Sequence, residues 1–470
     1  TRSGLPTGAR PARPARRHRR RGLIRQGLET ELDHQEVELL AIGAGPANLA
    51  LAVALEELSP DLAQRTLVTE QHDDIVWQRG MLLPWSRSQV SFLKDLVTLR
   101  NPTSPYSFVN YLHSTGRLDE FINLGTFTPY RLEISGYLAW VAQSLTKVRL
   151  QHGRRAVAVE PQRDEAGSVD RWLVRFADGG TVSCATLVIG VGRDPHLPTE
   201  FAALPRERVV HSTEFVPRIG ELNPEGRHRI VVVGGAQSAA EMLWSAHSTF
   251  PRAEVTMVMR SIGLNGYESS KFTNELFYPS FVDKFNEAQP EARSQLLREM
   301  HRTNYAGLSP SMLDNLYNTM YLEKLTGTQR LSMITMAEIV DSAMVDDEVV
   351  LTLLDRRTGE RSELRCDRVM LGTGFDKRMP TLVRAMAAEV GQEDFAVTRG
   401  YRLQLPEAVS ARVYLQGVNE ATHGIADSLI SVLAIRAAEI VADLAQGHED
   451  TVPVVSQRVT ELFAEAPQPA

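Results

Sequence analysis

Residues 37–70 read VELLAIGAGPANLALAVALEELSPDLAQRTLVTE, and this stretch decides the fold. Val37–Ile42 is a short apolar strand running into Gly43. Ala47–Leu58 is an apolar run of helix formers, and Thr66–Thr69 is a second short strand ending at Glu70. Strand, glycine turn, helix and strand in that order make a βαβ unit with a parallel sheet. Gly43-x-Gly45-Pro46-x-Asn48 therefore stands where a dinucleotide fingerprint needs it. Gly43 permits the tight turn, and Gly45 lets backbone approach a pyrophosphate. The helix start supplies amides and the positive end of a dipole. Pro46 suits the first helical turn, where a missing donor costs nothing. Glu70, at the next strand end, is placed to accept hydrogen bonds from ribose hydroxyls.

The same order recurs about 190 residues later. Arg229–Val233 is a strand, Gly234–Ala236 a turn, Ala239–His247 a helix, and Glu254–Met259 a strand ending at Arg260. Here Ala236 replaces the second glycine, while Gln237 and Ser238 offer extra polar groups. An acid at this strand end favours a free 2′-hydroxyl, whereas Arg260 favours a 2′-phosphate, hence NADPH over NADH. Two further strand-like segments ending in glycine, Thr186–Gly192 and Arg368–Gly374, close the two units and return the chain to the first. The fold class expected is α/β: two Rossmann-like, three-layer dinucleotide domains, the second inserted into the first. The boundaries drawn are 34–205 and 377–448 for the first domain and 206–376 for the second. The polar helical stretch 279–330 forms a small substrate cap. Residues 1–33 are a disordered basic extension and 449–470 a loose tail.

At 470 residues, 43% hydrophobic and 23% charged, the chain has ordinary globular composition. No uninterrupted apolar run reaches the roughly 18 residues of a membrane span, so no membrane partner is expected. Two cysteines, Cys184 and Cys366, exclude a disulfide scaffold and a Cys-x-x-Cys redox pair, and a reducing cytoplasmic setting fits best. The net charge of −7 hides nine arginines within residues 1–25. With almost no apolar content, that segment reads as an unstructured extension or an over-long reading frame rather than a nucleic-acid arm or transit peptide. Two dinucleotides on one chain mean FAD plus a nicotinamide cofactor. Without a Cys-x-x-Cys pair, dioxygen is the acceptor of the electrons.

Six stretches carry a resemblance: GAGPANLALA (43–52), FLKDLVTLRNPTSPYSFVNYL (92–112), GGAQSAAE (234–241), FTNELF (272–277), TNY (303–305) and NEATHGIADSLIS (419–431). Over roughly Val37 to Leu444 the chain resembles the siderophore-type N-hydroxylating flavin monooxygenases, the ornithine and lysine N-monooxygenases. The resemblance implies that NADPH reduces FAD, and that the reduced flavin takes up dioxygen as a C4a-hydroperoxide. One oxygen then passes to a side-chain amine, L-ornithine's by preference, to give a hydroxamate precursor. L-lysine and a diamine are the alternatives, and a non-enzymatic nucleotide-binding regulator is a more distant one. It further implies a homo-oligomer, tetramer or dimer. Lys94 is implied as the partner of the substrate carboxylate. Asn274, Asn304 and Ser431 (or Ser428) are implied as its polar contacts. Trp77, Gln89, Asp427 and Leu429 fall at the flavin, where Asp427 and Ser428 open the last long apolar helix, and Asn274 and Tyr305 fall on the NADPH side. Arg131 faces the cofactor cleft or pairs with Glu133, and His423 is structural.

No acid–base residue and no metal is required, but the attacking amine must be neutral. A free side-chain ammonium has a pKa near about 10.4, and desolvation lowers it where no carboxylate restores the charge. Asparagines suit that task, and Glu268 and Glu275 are expected to point away. A Baeyer–Villiger enzyme is disfavoured, because HSTEFVPRIG (211–220) lacks that class's glycine, histidine and tryptophan order.

Overall fold

The computed structural model describes residues 34–446 apart from Ala306. The basic extension (1–33) and the loose tail (449–470) expected at the two ends lie outside the described residues. Strands β1 (His34–Ile42), β2 (Thr66–Thr69), β3 (Arg149–Gln151), β4 (Ala156–Arg163), β5 (Val169–Phe176) and β6 (Thr181–Ile189) build one sheet in the order 3-2-1-6-5-4. The four strands from β3 to β6 on the β1 side are parallel, and β4 and β5 form an antiparallel meander. Leu39, Leu40, Ala41 and Ile42 are all buried, as expected of a strand covered on both faces. Leu39 and Ala41 face the helix Pro46–Leu58, whereas Leu40 and Ile42 face the opposite layer.

The second sheet takes β7 (Val209–His211), β8 (Arg229–Val233), β9 (Glu254–Val258), β10 (Leu331–Ile334) and, after a detour, β14 (Arg368–Leu371). The detour is an antiparallel sheet of β11 (Ala337–Val345), β12 (Glu348–Asp355) and β13 (Arg361–Cys366), after which β14 spans Arg368–Leu371. The five parallel strands run 10-9-8-14-7. Ile230 and Val232 pack under the helix Gln237–Thr249, while Val231 packs on Ile339, Val349 and Leu351 of the antiparallel sheet. That gives three layers. The last strand, β15 (Arg412–Leu415), returns to pair with β6, so every strand of the second sheet falls inside the sequence of the first. The helix Leu433–Ala445 then packs on Pro46–Leu58.

Two stretches pack across the expected boundaries. The polar stretch 279–330 holds three helices, Pro279–Glu287, Pro290–Asn304 and Pro310–Thr326, each with proline in its first turn. The third buries Met312 and Leu316 in the core of the second unit. The first instead leans on the returning chain: Val282 packs with Ala426 and Val432, and Arg399 bridges Asp283 and Glu439 at 2.8–2.9 Å. Met81 and Leu83, drawn within the first domain, are buried in the second unit's core. Among the described residues no helix is long and apolar enough to cross a membrane, and no group of three or more His, Cys, Asp or Glu could hold a metal ion.

Candidate functional site

Both glycine loops lie at the carboxyl ends of central parallel strands, where open α/β sheets bind ligands. At the first loop Gly43 has φ +90°, and a Cβ there would lie 2.8 Å from the Gly190 carbonyl oxygen. Only glycine fits. Gly45 has φ −72° and ψ 177°, a conformation any residue adopts, and a Cβ would meet nothing within 4 Å. Neither strain nor crowding by the protein demands a glycine there, so the open space over the helix start fits an approaching pyrophosphate. Ala44 N donates to Glu70 Oε2 and His72 N to Glu70 Oε1, both at 3.0 Å. Glu70 thus holds the loop and keeps lone pairs for ribose hydroxyls. Pro46 begins the helix. Asn48 is fully buried and donates to the Ile42 and Gly43 carbonyls, accepting from Gln416 at 2.7 Å. Its amide shapes the loop from beneath and is spent on the protein.

At the second loop Gly234 has φ +137°, and a Cβ would lie 2.6 Å from the Gly372 carbonyl oxygen. Ala236 precedes the helix in extended conformation, φ −119° and ψ −176°. The side-chain amide of Gln237 is engaged at both ends: Nε2 donates to Glu241 at 2.8 Å and Oε1 accepts from Ser309 N at 2.9 Å. Ser238 is half-buried at the second helical position. Arg260 is 73% exposed, with a loose 4.0 Å pairing to Glu338, and Arg356 donates to its carbonyl. Two arginines therefore stand at the strand end expected to meet a 2′-phosphate.

Between the loops lies the FLKD turn. Asp95 is buried and accepts from Val97 N, Thr98 N, Thr98 Oγ1 and Phe108 N at 2.6–3.0 Å, which fixes the turn carrying Lys94. The Lys94 ammonium has no carboxylate partner among the described residues. Its nearest recorded contact is the Tyr278 ring, 5.9 Å from Nζ to centroid. Burial alone pulls its pKa below the ordinary lysine value. Tyr278 follows the short helix Lys271–Glu275, so the FTNELF segment faces the FLKD turn. Asn274 on that helix is exposed, as is Glu275.

Tyr305 Oη lies 3.0 Å from Ser428 Oγ and 3.4 Å from Glu420 Oε2, with Asn304 next to it in the chain. Desolvation first, and the Glu420 carboxylate second, push the phenol's pKa up. Arg193 stands behind, 3.7 Å from Glu420. Glu420 and Arg193 were not singled out from the sequence. The structure thus groups Asn304, Tyr305 and Ser428, and separately Lys94 with Tyr278. Ser431 is buried at the next turn, and Ser428 carries the exposed hydroxyl.

Asp427 and Arg131 are not placed as expected. Asp427 does not begin the last long helix, which starts at Leu433 after two 3-10 turns. Its carboxylate accepts from Asn419 N at 2.7 Å and from Arg436 at 3.0 Å, both buried, so it is not open to a ligand. Leu429, between the two turns, is half-buried. Arg131 pairs with neither the open cleft nor Glu133: it binds Glu241 at 2.7 and 2.8 Å, and Glu133 pairs with Arg117. Trp77 is half-buried against the first core and donates its backbone N–H to Ser135, while Gln89 is exposed. His423 is buried, stacked 4.1 Å from Tyr401 and bonded to Thr422 and the Arg399 carbonyl. Burial pushes its pKa down to about 4, so it is neutral at physiological pH. Both cysteine thiols are buried and pushed up to about 12.

Residues 35–377 match the family described as L-lysine 6-monooxygenase/L-ornithine 5-monooxygenase. The chain belongs to this family. It is 37% identical over 418 residues to an L-ornithine N(5)-monooxygenase of Pseudomonas aeruginosa, covering 87% of this chain and 94% of that one. It is 38% identical to an L-ornithine N(5)-monooxygenase of Burkholderia cepacia, covering 82% and 89%. An ornithine N-hydroxylase of Kutzneria sp. 744, solved with reduced FAD, NADP⁺ and L-ornithine, aligns with a TM-score of 0.82 at 33% identity, over 87% of this chain and 99% of that one. The family member described here is accordingly a flavin-dependent N-monooxygenase.

Proposed function

We propose that this protein hydroxylates the side-chain amine of L-ornithine, with FAD at the Gly43–Gly45 loop and NADPH at the Gly234–Ala236 loop. The balance is amine, dioxygen, NADPH and a proton giving hydroxylamine, NADP⁺ and water. The product is a hydroxamate precursor of the kind used in siderophores. The observation that carries the reading is Lys94, a half-buried ammonium without a carboxylate partner among the described residues, on a turn that Asp95 makes rigid. An α-carboxylate answers that charge, whereas a diamine has none to offer. The choice of ornithine is supported by the three relatives above, each named for it.

A bound flavin supplies the activation of dioxygen when reduced. The protein's own residues do the rest. Gly45 and the helix start receive the FAD pyrophosphate, with Glu70 at the ribose. Arg260, helped by Arg356, takes the NADPH 2′-phosphate, with Tyr305 toward the nicotinamide. Asn274 and Asn304 hold the amine as neutral partners, which leaves it free to shed its proton, and Ser428 or Ser431 completes its contacts.

The test measures NADPH oxidation with product analysis over ornithine, lysine, putrescine and cadaverine, for wild type and Lys94→Ala. The expected result is hydroxylated ornithine as the main product and a KM for ornithine raised on the order of 100-fold in the variant, as for a lost charge-assisted pair. Equal turnover of putrescine, with Lys94→Ala indifferent, contradicts the reading.

A further inference from the structure

Glu241 lies one turn into the helix Gln237–Thr249, whose first residues follow the second nucleotide loop. Its side chain is 3% exposed. A carboxylate buried so near a helix start competes with a bound anion for the same positive dipole end. Its countercharge comes from the other unit. Arg131, the first residue of the helix Arg131–Ser144, donates through Nη2 to Oε1 at 2.7 Å and through Nη1 to Oε2 at 2.8 Å. The same Nη1 donates to the Met81 carbonyl at 3.3 Å.

The surroundings form a close-packed joint. A Cβ on Gly80 would fall 2.1 Å from the Thr213 carbonyl carbon, so the two backbones touch there. Met81 and Leu83 are buried in the second unit's core. Gln237 links Glu241 to the Ser309 amide, just before the helix Pro310–Thr326. One network therefore joins the first unit, the second nucleotide loop and the start of that helix.

We infer that Arg131 is a positioning residue for the nicotinamide cofactor: it neutralises Glu241 beside the pyrophosphate position and fixes the second loop toward the first unit. This rests on NADPH occupying the second loop. Arg131 acts through Glu241.

The test is anaerobic reduction of the bound flavin by NADPH, followed against NADPH concentration, in wild type, Arg131→Met, Arg131→Lys and the double variant Arg131→Met/Glu241→Met. Arg131→Met leaves flavin content unchanged and raises the half-saturating NADPH concentration about tenfold or more, because a buried carboxylate is left unpaired. The double variant, with neither charge, returns to within about threefold of wild type, since apolar replacement of a whole buried pair is often tolerated. Arg131→Lys keeps the charge but not the fork, gives a smaller rise, and carries the test if the methionine variant does not fold. Unchanged half-saturation in Arg131→Met, or a double variant as impaired as the single, overturns the inference. A wild type that NADPH does not reduce overturns the reading of the second loop, and the inference with it.

Discussion

The two glycine loops share a backbone and differ in what closes them. Each starts with a glycine at positive φ backed by another glycine's carbonyl, Gly43 on Gly190 and Gly234 on Gly372. Each reaches its helix through an extended residue, Gly45 or Ala236. The first is then tied down by an acid, because Glu70 takes the Ala44 and His72 amides. The second ends at exposed Arg260, beside Arg356. Ala236 costs nothing in backbone strain, so its methyl group changes only how closely a ligand approaches. On the proposed reading the shared shape serves a pyrophosphate, and the strand-end residue serves a ribose, bare in one unit and phosphorylated in the other.

The sharpest way to break that division is to fill each loop in turn. Gly43→Ala places a methyl group against the Gly190 carbonyl at a positive φ, and the purified protein is expected to lose its flavin and its yellow colour. Gly234→Ala meets Gly372 in the same way, but should keep the flavin while NADPH-driven reduction falls on the order of 100-fold. Absorbance of the purified variants and anaerobic reduction with NADPH and with dithionite check both. If Gly234→Ala loses flavin and Gly43→Ala keeps it, the assignment is reversed. A smaller effect is expected at the strand end. Arg260→Ala should raise the KM for NADPH about tenfold, the scale of one charge-assisted contact, with Arg356 retaining part of the hold. Its KM for NADH, which lacks the phosphate, should not move.

Much of this architecture was legible in the sequence because glycine and apolar period mark it locally. Thr66–Thr69 and Arg229–Val233 have the bounds read from the residues, and the helix after each loop begins within two residues of its expected start. What escaped depended on partners far along the chain. Glu241 stands in the quoted GGAQSAAE motif, but nothing local says that its countercharge is Arg131, 110 residues earlier. Asp427 looked like a helix start and is instead the buried partner of Arg436. The stretch 279–330 read as one polar helical cap, and its three helices all open with proline. Only packing separates Pro310–Thr326, seated on the second sheet through Met312 and Leu316, from Pro279–Glu287, seated on the returning chain through Val282. The site residues divide in the same way: the loop glycines and Glu70 could be argued from spacing, whereas Lys94, Asn274 and Asn304 rested on the family resemblance.

The most direct test of the whole account is stoichiometric. Purified flavoprotein is given limiting NADPH in air with L-ornithine, and hydroxylated ornithine and hydrogen peroxide are both counted. The account predicts close to one hydroxylated ornithine for each NADPH consumed, with little peroxide. NADPH oxidation that yields peroxide and leaves ornithine unchanged would contradict it.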